Sequence, residues 1–220
     1  MSNEQVRLAG LSRRLLLSGA AALAVLATLP IGPARAQDAA QAFMDDVGQQ
    51  VVQIFQTPDL NDKQRLDRLV EILDASVDFE IVARLVTGRY WRQATPEQQA
   101  EYVELFREFT IQTIASQLRN YGGETYQITG GRAVDDRDTV VSSKIVRGAG
   151  QPPANVDWRI RQTDNGLKII DVVGEGVSAV VTWRQEYGEI LDRSGFDGLI
   201  ARLKEQIAAR SQTGLPPREL

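Results

Sequence analysis

The spacing of apolar residues changes partway along this chain, and that change limits the fold more than any other feature. Up to about residue 120 apolar residues recur every third or fourth position, and from Glu124 to Val173 they recur mostly every second. The first period belongs to helices with one buried stripe, the second to strands with one buried face. Beyond Gly176 the helical period returns. Helices, then consecutive strands joined by turns, then helices again predict an α+β architecture, with the N-terminal and C-terminal helices packed on a twisted antiparallel four-stranded sheet.

Residues 39–56 place Phe43, Val47, Val51, Ile54 and Phe55 on one side of a helix that Thr57-Pro58 ends. Residues 62–75 carry Leu66, Leu69, Val70 and Leu73 at the same spacing. A short third helix through Phe79, Val82, Leu85 and Val86 stops near Gly88. The fourth has the clearest start: Thr95 at the N-cap, Pro96 at the first helical position and Gln98 completing a capping box. It is expected to reach Asn120, before Tyr121-Gly122-Gly123. In the strand region Tyr126 and Ile128, then Val141, Ser143 and Ile145, then Val156, Trp158 and Ile160 share faces, and Asn165-Gly166 predicts a two-residue hairpin turn. The fourth strand, Leu167 to Val173, is apolar on both faces except at Lys168 and Asp171. A helix is expected from Val177 through Val180, Val181 and Ile190, and a last one over 197–208. Residues 211–220 read as a flexible tail.

The N-terminus reads as an export signal covering residues 1–36. Arg7, Arg13 and Arg14 precede an uncharged run over 15–29, and Ala34-Arg35-Ala36 gives the small-x-small pattern of a cleavage site, with Gln37 as first mature residue. Fifteen apolar residues fall short of the roughly 20 that a spanning helix needs. The Arg13-Arg14 pair fits a twin-arginine signal as well as an ordinary secretory one, and either route predicts a periplasmic location. The segment carries four Arg and one Glu, so its removal leaves 21 basic and 28 acidic residues and a net charge of −7. Such an acidic surplus argues against a sequence-independent nucleic-acid binder. The 184 residues left suit a single domain, 37–210. With no Cys and no His in the chain, disulfides, thiolate nucleophiles, Ser-His-Asp triads and His- or Cys-based zinc sites are excluded.

Three stretches carry a resemblance: FEIVARLVTGRYWRQATPEQ from Phe79, IIDVVGEGVSAVVTW from Ile169 and YGEILDRSGFDGLIARL from Tyr187. In that order they resemble the Mla-pathway periplasmic phospholipid carriers, the toluene-tolerance family, over about residues 40–208. A sibling family of hopanoid-associated periplasmic lipid binders is similar too. Gly174 departs from the pattern, which usually has a bulkier apolar residue there. The resemblance implies a sheet and helices that enclose an apolar pocket for the acyl tails of a phospholipid, with the headgroup near the mouth and no cofactor. It implies a monomeric shuttle whose partners are an inner-membrane ABC transporter bearing a ring of MCE domains and an outer-membrane lipoprotein–porin complex.

A pocket of that kind would be lined by Phe79, Val82, Val86, Phe106, Val177 and Val181 from the helices, facing Ile128, Val141, Ile145, Trp158, Ile160, Ile170 and Val172 from the sheet. Two other readings of the residues stay open: a small cone-fold enzyme with Asp171 as general base, and a structural envelope protein with a filled core. Asp171 also reads as a buried, hydrogen-bonded structural acid and Glu175 as a turn residue. Gly88-Arg89-Tyr90-Trp91-Arg92 reads as a helix end where Arg covers aromatic surface or as a headgroup site. Asp135-Asp136-Arg137-Asp138 lacks EF-hand spacing and reads as a solvated hairpin turn.

Overall fold

The computed structural model describes residues 33–118, 123–147 and 152–211. Most of the expected export signal, the tail from residue 212 and the expected end of the fourth helix lie outside them. Helix α1 runs Pro33–Gln56, six residues earlier than its apolar stripe predicts and across the Ala36–Gln37 bond. Helix α2 (Asp62–Ser76) starts in a capping box in which the Asn61 side chain accepts from the Gln64 backbone N–H at 2.9 Å and Gln64 returns the bond at 3.0 Å. Asp78 caps α3 (Phe79–Thr87) by accepting from the Ile81 N–H at 2.8 Å. Gly88, at φ 53°, ends it and opens a 3₁₀ turn over Gly88–Gln93. The capping box read at Thr95 and Gln98 is present, at 3.2 and 3.0 Å, and starts α4 (Pro96–Leu118).

Strands β1 (Thr125–Ala133), β2 (Asp138–Val146), β3 (Ala154–Thr163) and β4 (Gly166–Gly174) form the expected antiparallel meander. A fifth strand, β5 (Val177–Ser178), extends it, where the sequence reading had a helix already under way. Ser178 caps helix α5 (Ala179–Ser211) by accepting from the Val181 N–H at 3.0 Å. The two expected C-terminal helices are the halves of α5, joined at Gly195, whose backbone (φ 63°, ψ −163°) is not helical. The β3–β4 turn sits one residue earlier than expected. Thr163 pairs with Gly166, Asp164 and Asn165 form the tip, and only Gly166 has positive φ, at 90°. That is a hairpin closed by a glycine in the left-handed region, because a mirror-image turn would need positive φ at both tip residues.

Two bulges shape the sheet. Thr129 is unpaired in β1, and Ile170 is unpaired in β4, where Arg159 pairs with Asp171 but Ile160 with Ile169. An extra residue lets neighbouring side chains escape strict alternation. Ile169 and Ile170 are therefore both buried, the first against the sheet face and the second among the helices.

Two apolar cores result. One joins Ala40 and Met44 of α1 to Val141, Ile160 and Ile169 of the sheet. The other joins α2, α3, α4, α5 and the end of α1, and reaches the sheet through Ile170. The segment before α3 lies along β4, where Val77 bridges to Ile169 and the Asp78 N–H donates to the Ile169 carbonyl at 3.3 Å. Val77 packs against both cores.

Candidate functional site

The inner sheet face is set by cross-strand register: Val141 opposite Trp158, Ser143 opposite Val156, Thr139 opposite Ile160, and Trp158 in turn opposite Val172. Helix α1 lies on this face at close range because two positions lack side chains. A Cβ on Gly48 would sit 2.5 Å from the Tyr126 ring, and one on Gly131 would sit 3.2 Å from Gln37. Met44, Val141 and Ile160 are sealed in that contact, each 1% exposed or less.

Polar groups on the same face are tied down. Trp158 Nε1 donates to Ser143 Oγ at 2.9 Å, and Ser143 Oγ donates to the Val156 carbonyl at 3.0 Å. Among the described residues the buried Tyr126 hydroxyl has no hydrogen-bond partner of good geometry. Burial pushes its phenol up to about 12. In the helical core the Tyr102 and Tyr187 hydroxyls are likewise buried without partners among the described residues, and desolvation raises both phenols.

The thirteen pocket residues read from the sequence do not converge on one space. Phe79, Val82, Val86, Phe106 and Ile170 belong to the helical core. Val141 and Ile160 belong to the sheet–α1 core, with Ile128 and Trp158 packed at its border. Ile145 and Val172 are half-buried and belong to neither core. Val177 and Val181 are corrected: they lie at the surface, 64% and 49% exposed. Continuing the helix back through Gly176 put them on an inner face, whereas β5 and the first turn of α5 turn them outward. The sequence reading missed Ala40 and Met44, which α1 presents to the sheet. Their spacing with Phe43 and Val47 was the available signal.

Asp171 acts as a cap. Its carboxylate accepts from the Val172 and Val180 N–H groups at 2.8 and 3.1 Å and from Ser178 Oγ at 2.7 Å, which fixes β5 and the start of α5 to β4. Glu175, in the left-handed region at φ 48°, accepts from the Asn155 N–H at 2.7 Å. Arg89 and the Tyr90 hydroxyl both donate to Asp192, at 3.4 and 2.5 Å, and Arg84 lies over the Trp91 ring at 5.8 Å. That is the helix-end arrangement.

The acidic turn is half corrected. Asp135 closes it by accepting from the Arg137 and Asp138 N–H groups at 2.9 and 2.8 Å. Asp138, however, is 1% exposed and joins two arginines: Arg161 donates from Nε at 2.6 Å and from Nη2 at 2.8 Å, and Arg159 from Nε at 2.8 Å. Burial works to raise the Asp138 carboxyl, but the hydrogen bonds from Arg161 and Arg159 outweigh it and hold the group below the usual carboxylate range.

Residues 45–205 match the family described as MlaC protein. The chain belongs to the MlaC family. Among MlaC relatives, the intermembrane phospholipid transport system binding protein MlaC of Haemophilus influenzae is 27% identical over 132 residues, 59% of this chain and 62% of the relative. The toluene tolerance protein ttg2D of Pseudomonas putida is 25% identical over 134 residues, 60% of this chain and 61% of the relative. The chain thus spans about three-fifths of the length of these curated relatives. A phospholipid-binding protein from Ralstonia solanacearum, solved in complex with a phospholipid, superposes with a TM-score of 0.68 at 30% identity. The superposition covers 78% of this chain and 98% of that one.

Proposed function

We propose that this protein is a periplasmic phospholipid carrier that takes acyl tails into the seam between its two apolar cores. The observation that carries the reading is the likeness to the lipid-bound Ralstonia protein over nearly all of that protein's length. Ile145 and Val172, half-buried on the inner sheet face and in neither core, support this reading as positions that a tail could cover. A two-tailed lipid carries on the order of 30 methylenes at about 0.8 kcal/mol each, so bare passage through water costs more than ~20 kcal/mol. A protein that crosses this gap needs a yielding apolar interior and no reactive side chain. The α1–sheet contact is closed as it stands, so tails enter by parting packed surfaces.

In this reading residues 1–36 direct export and are removed, and residues 37–210 form the lipid-binding domain. The partners are those of an Mla-type pathway: an inner-membrane ABC transporter with an MCE-domain ring and an outer-membrane lipoprotein–porin complex. Native mass spectrometry of protein purified gently from a gram-negative envelope, with lipid extraction alongside, tests it. A phospholipid at near one per protein is expected, and Val172→Trp is expected to lower that loading in a folded protein. A hopanoid in its place would transfer the reading to the sibling family. No lipid, even after incubation with liposomes, would falsify carriage.

A further inference from the structure

The sheet carries a second feature on the face away from α1. Arg159 and Arg161 alternate with Trp158 and Ile160 along β3, so they point to the opposite side. There an open groove of about 500 Å³ lies between α3 and the hairpin turns, its lining including Ile81, Arg84, Leu85, Arg137, Arg161 and Asp164. Three guanidinium groups and one carboxylate face it, in a chain with a net charge of −4.

The arginines differ in how they are held. Arg161 is fixed by two hydrogen bonds to Asp138. That same carboxylate also serves Arg159, so two guanidinium groups divide one pair of carboxylate oxygens, and Asp135 and Asp78 lie near enough to act on Arg161 as well. Arg84 rests against Trp91 and lies 3.9 Å from Glu80. Arg137 makes no side-chain hydrogen bond or ion pair among the described residues; its backbone is pinned by Asp135 and Gln162. A fixed fork, a supported fork and an uncommitted fork around one hollow suit a tetrahedral oxyanion, because guanidinium groups match phosphate oxygens two at a time. Ile81 and Leu85 supply an apolar wall for whatever carries that oxyanion.

We propose that this groove binds a phosphate group, presented by a lipid headgroup at a bilayer surface or as free phosphate. The site lies across the sheet from α1 and does not depend on carriage of acyl tails.

The test is titration of the ¹⁵N-labelled purified protein with inorganic phosphate, and separately with phosphatidylglycerol vesicles, following the arginine Nε–Hε resonances. Arg84, Arg137 and Arg161 are expected to shift together along one saturation curve. The double variant Arg84→Gln/Arg137→Gln removes two exposed groups and leaves Asp138 paired, so its fold is expected to persist while affinity falls ~tenfold or more. Lys63→Gln, which loses only an exposed pair with Asp67, serves as the control and leaves affinity unchanged. Response to phosphate alone names free phosphate as the source; vesicle binding that the double variant and added salt abolish names a headgroup. The proposal is overturned if neither probe moves the three resonances, or if the double variant responds like the parent. Lipid loading, measured in parallel, is expected to be the same in the double variant, which keeps this test separate from that of the carrier.

Discussion

The helical core and the sheet–α1 core hold by different means. In the first, large side chains interlock: Phe106 meets Trp183 edge-on at 5.2 Å and Tyr102 meets Phe196 edge-on at 5.8 Å, and all the helices contribute. In the second, one helix lies on one sheet face, and its close seat comes from missing side chains at Gly48 and Gly131. Aromatic interlocking resists separation because parting it exposes large areas at once. A helix seated on glycines has less to lose along the same length. The difference places the compliant surface on the sheet side, where Ile145 and Val172 are only half-buried.

The largest effect that would sharpen this contrast is expected from Phe106→Ala. Loss of a fully buried ring should cost about 3–5 kcal/mol, seen in urea unfolding, with protection from hydrogen exchange falling across the helices alike. Gly48→Val should cost about 1–3 kcal/mol through forced repacking against Tyr126, with exchange rising chiefly in α1 and β1. A uniform rise across the molecule would erase the distinction between the two cores. Adding Tyr126→Ala to Gly48→Val should restore part of the loss.

Asp138→Asn probes the outer face. Removing the shared charge from Arg159 and Arg161 should cost about 1–3 kcal/mol near neutral pH. The folded carboxyl is held below its unfolded value of about 3.9, so its contribution is complete above that pH and fades as pH falls through the folded value. The variant's acid-unfolding limb should therefore be flatter below about pH 4. The smallest effect is expected from Asp171→Asn: about 1 kcal/mol from a weakened helix start, with lipid loading retained. An Asp171→Asn protein of unchanged stability and lost function would instead revive the general-base reading.

Local signals were legible in the sequence where their partners are near in the chain. The Thr95–Gln98 capping box lies within four residues and was found where expected. The alternation Val156, Trp158, Ile160 gave the inner face of β3, though Ile160 alone of the three is wholly sealed. Gly166 marked a turn but not its type, because a left-handed residue serves both a mirror-image turn and a bulge. Asp138 looked solvated because its partners stand 21 and 23 residues further on, across a hairpin. The division into two cores was illegible for a related reason. Periodicity says which face of an element is apolar, not which other element covers it, and Ile169 and Ile170 went to different cores through a bulge that no pattern announces.

The seat of α1 on the sheet has a consequence in time. Ala40 and Met44 find their buried partners, among the described residues, on strands β2 to β4, at Val141, Ile160 and Ile169, so on a chain emerging from its N-terminus they lack that cover while about a hundred further residues follow. Contacts that distant form late and slowly. Helix α1, made before the other described elements, is thus among the last of them to be docked, and until then its apolar stripe is open to any protein that binds unfinished chains.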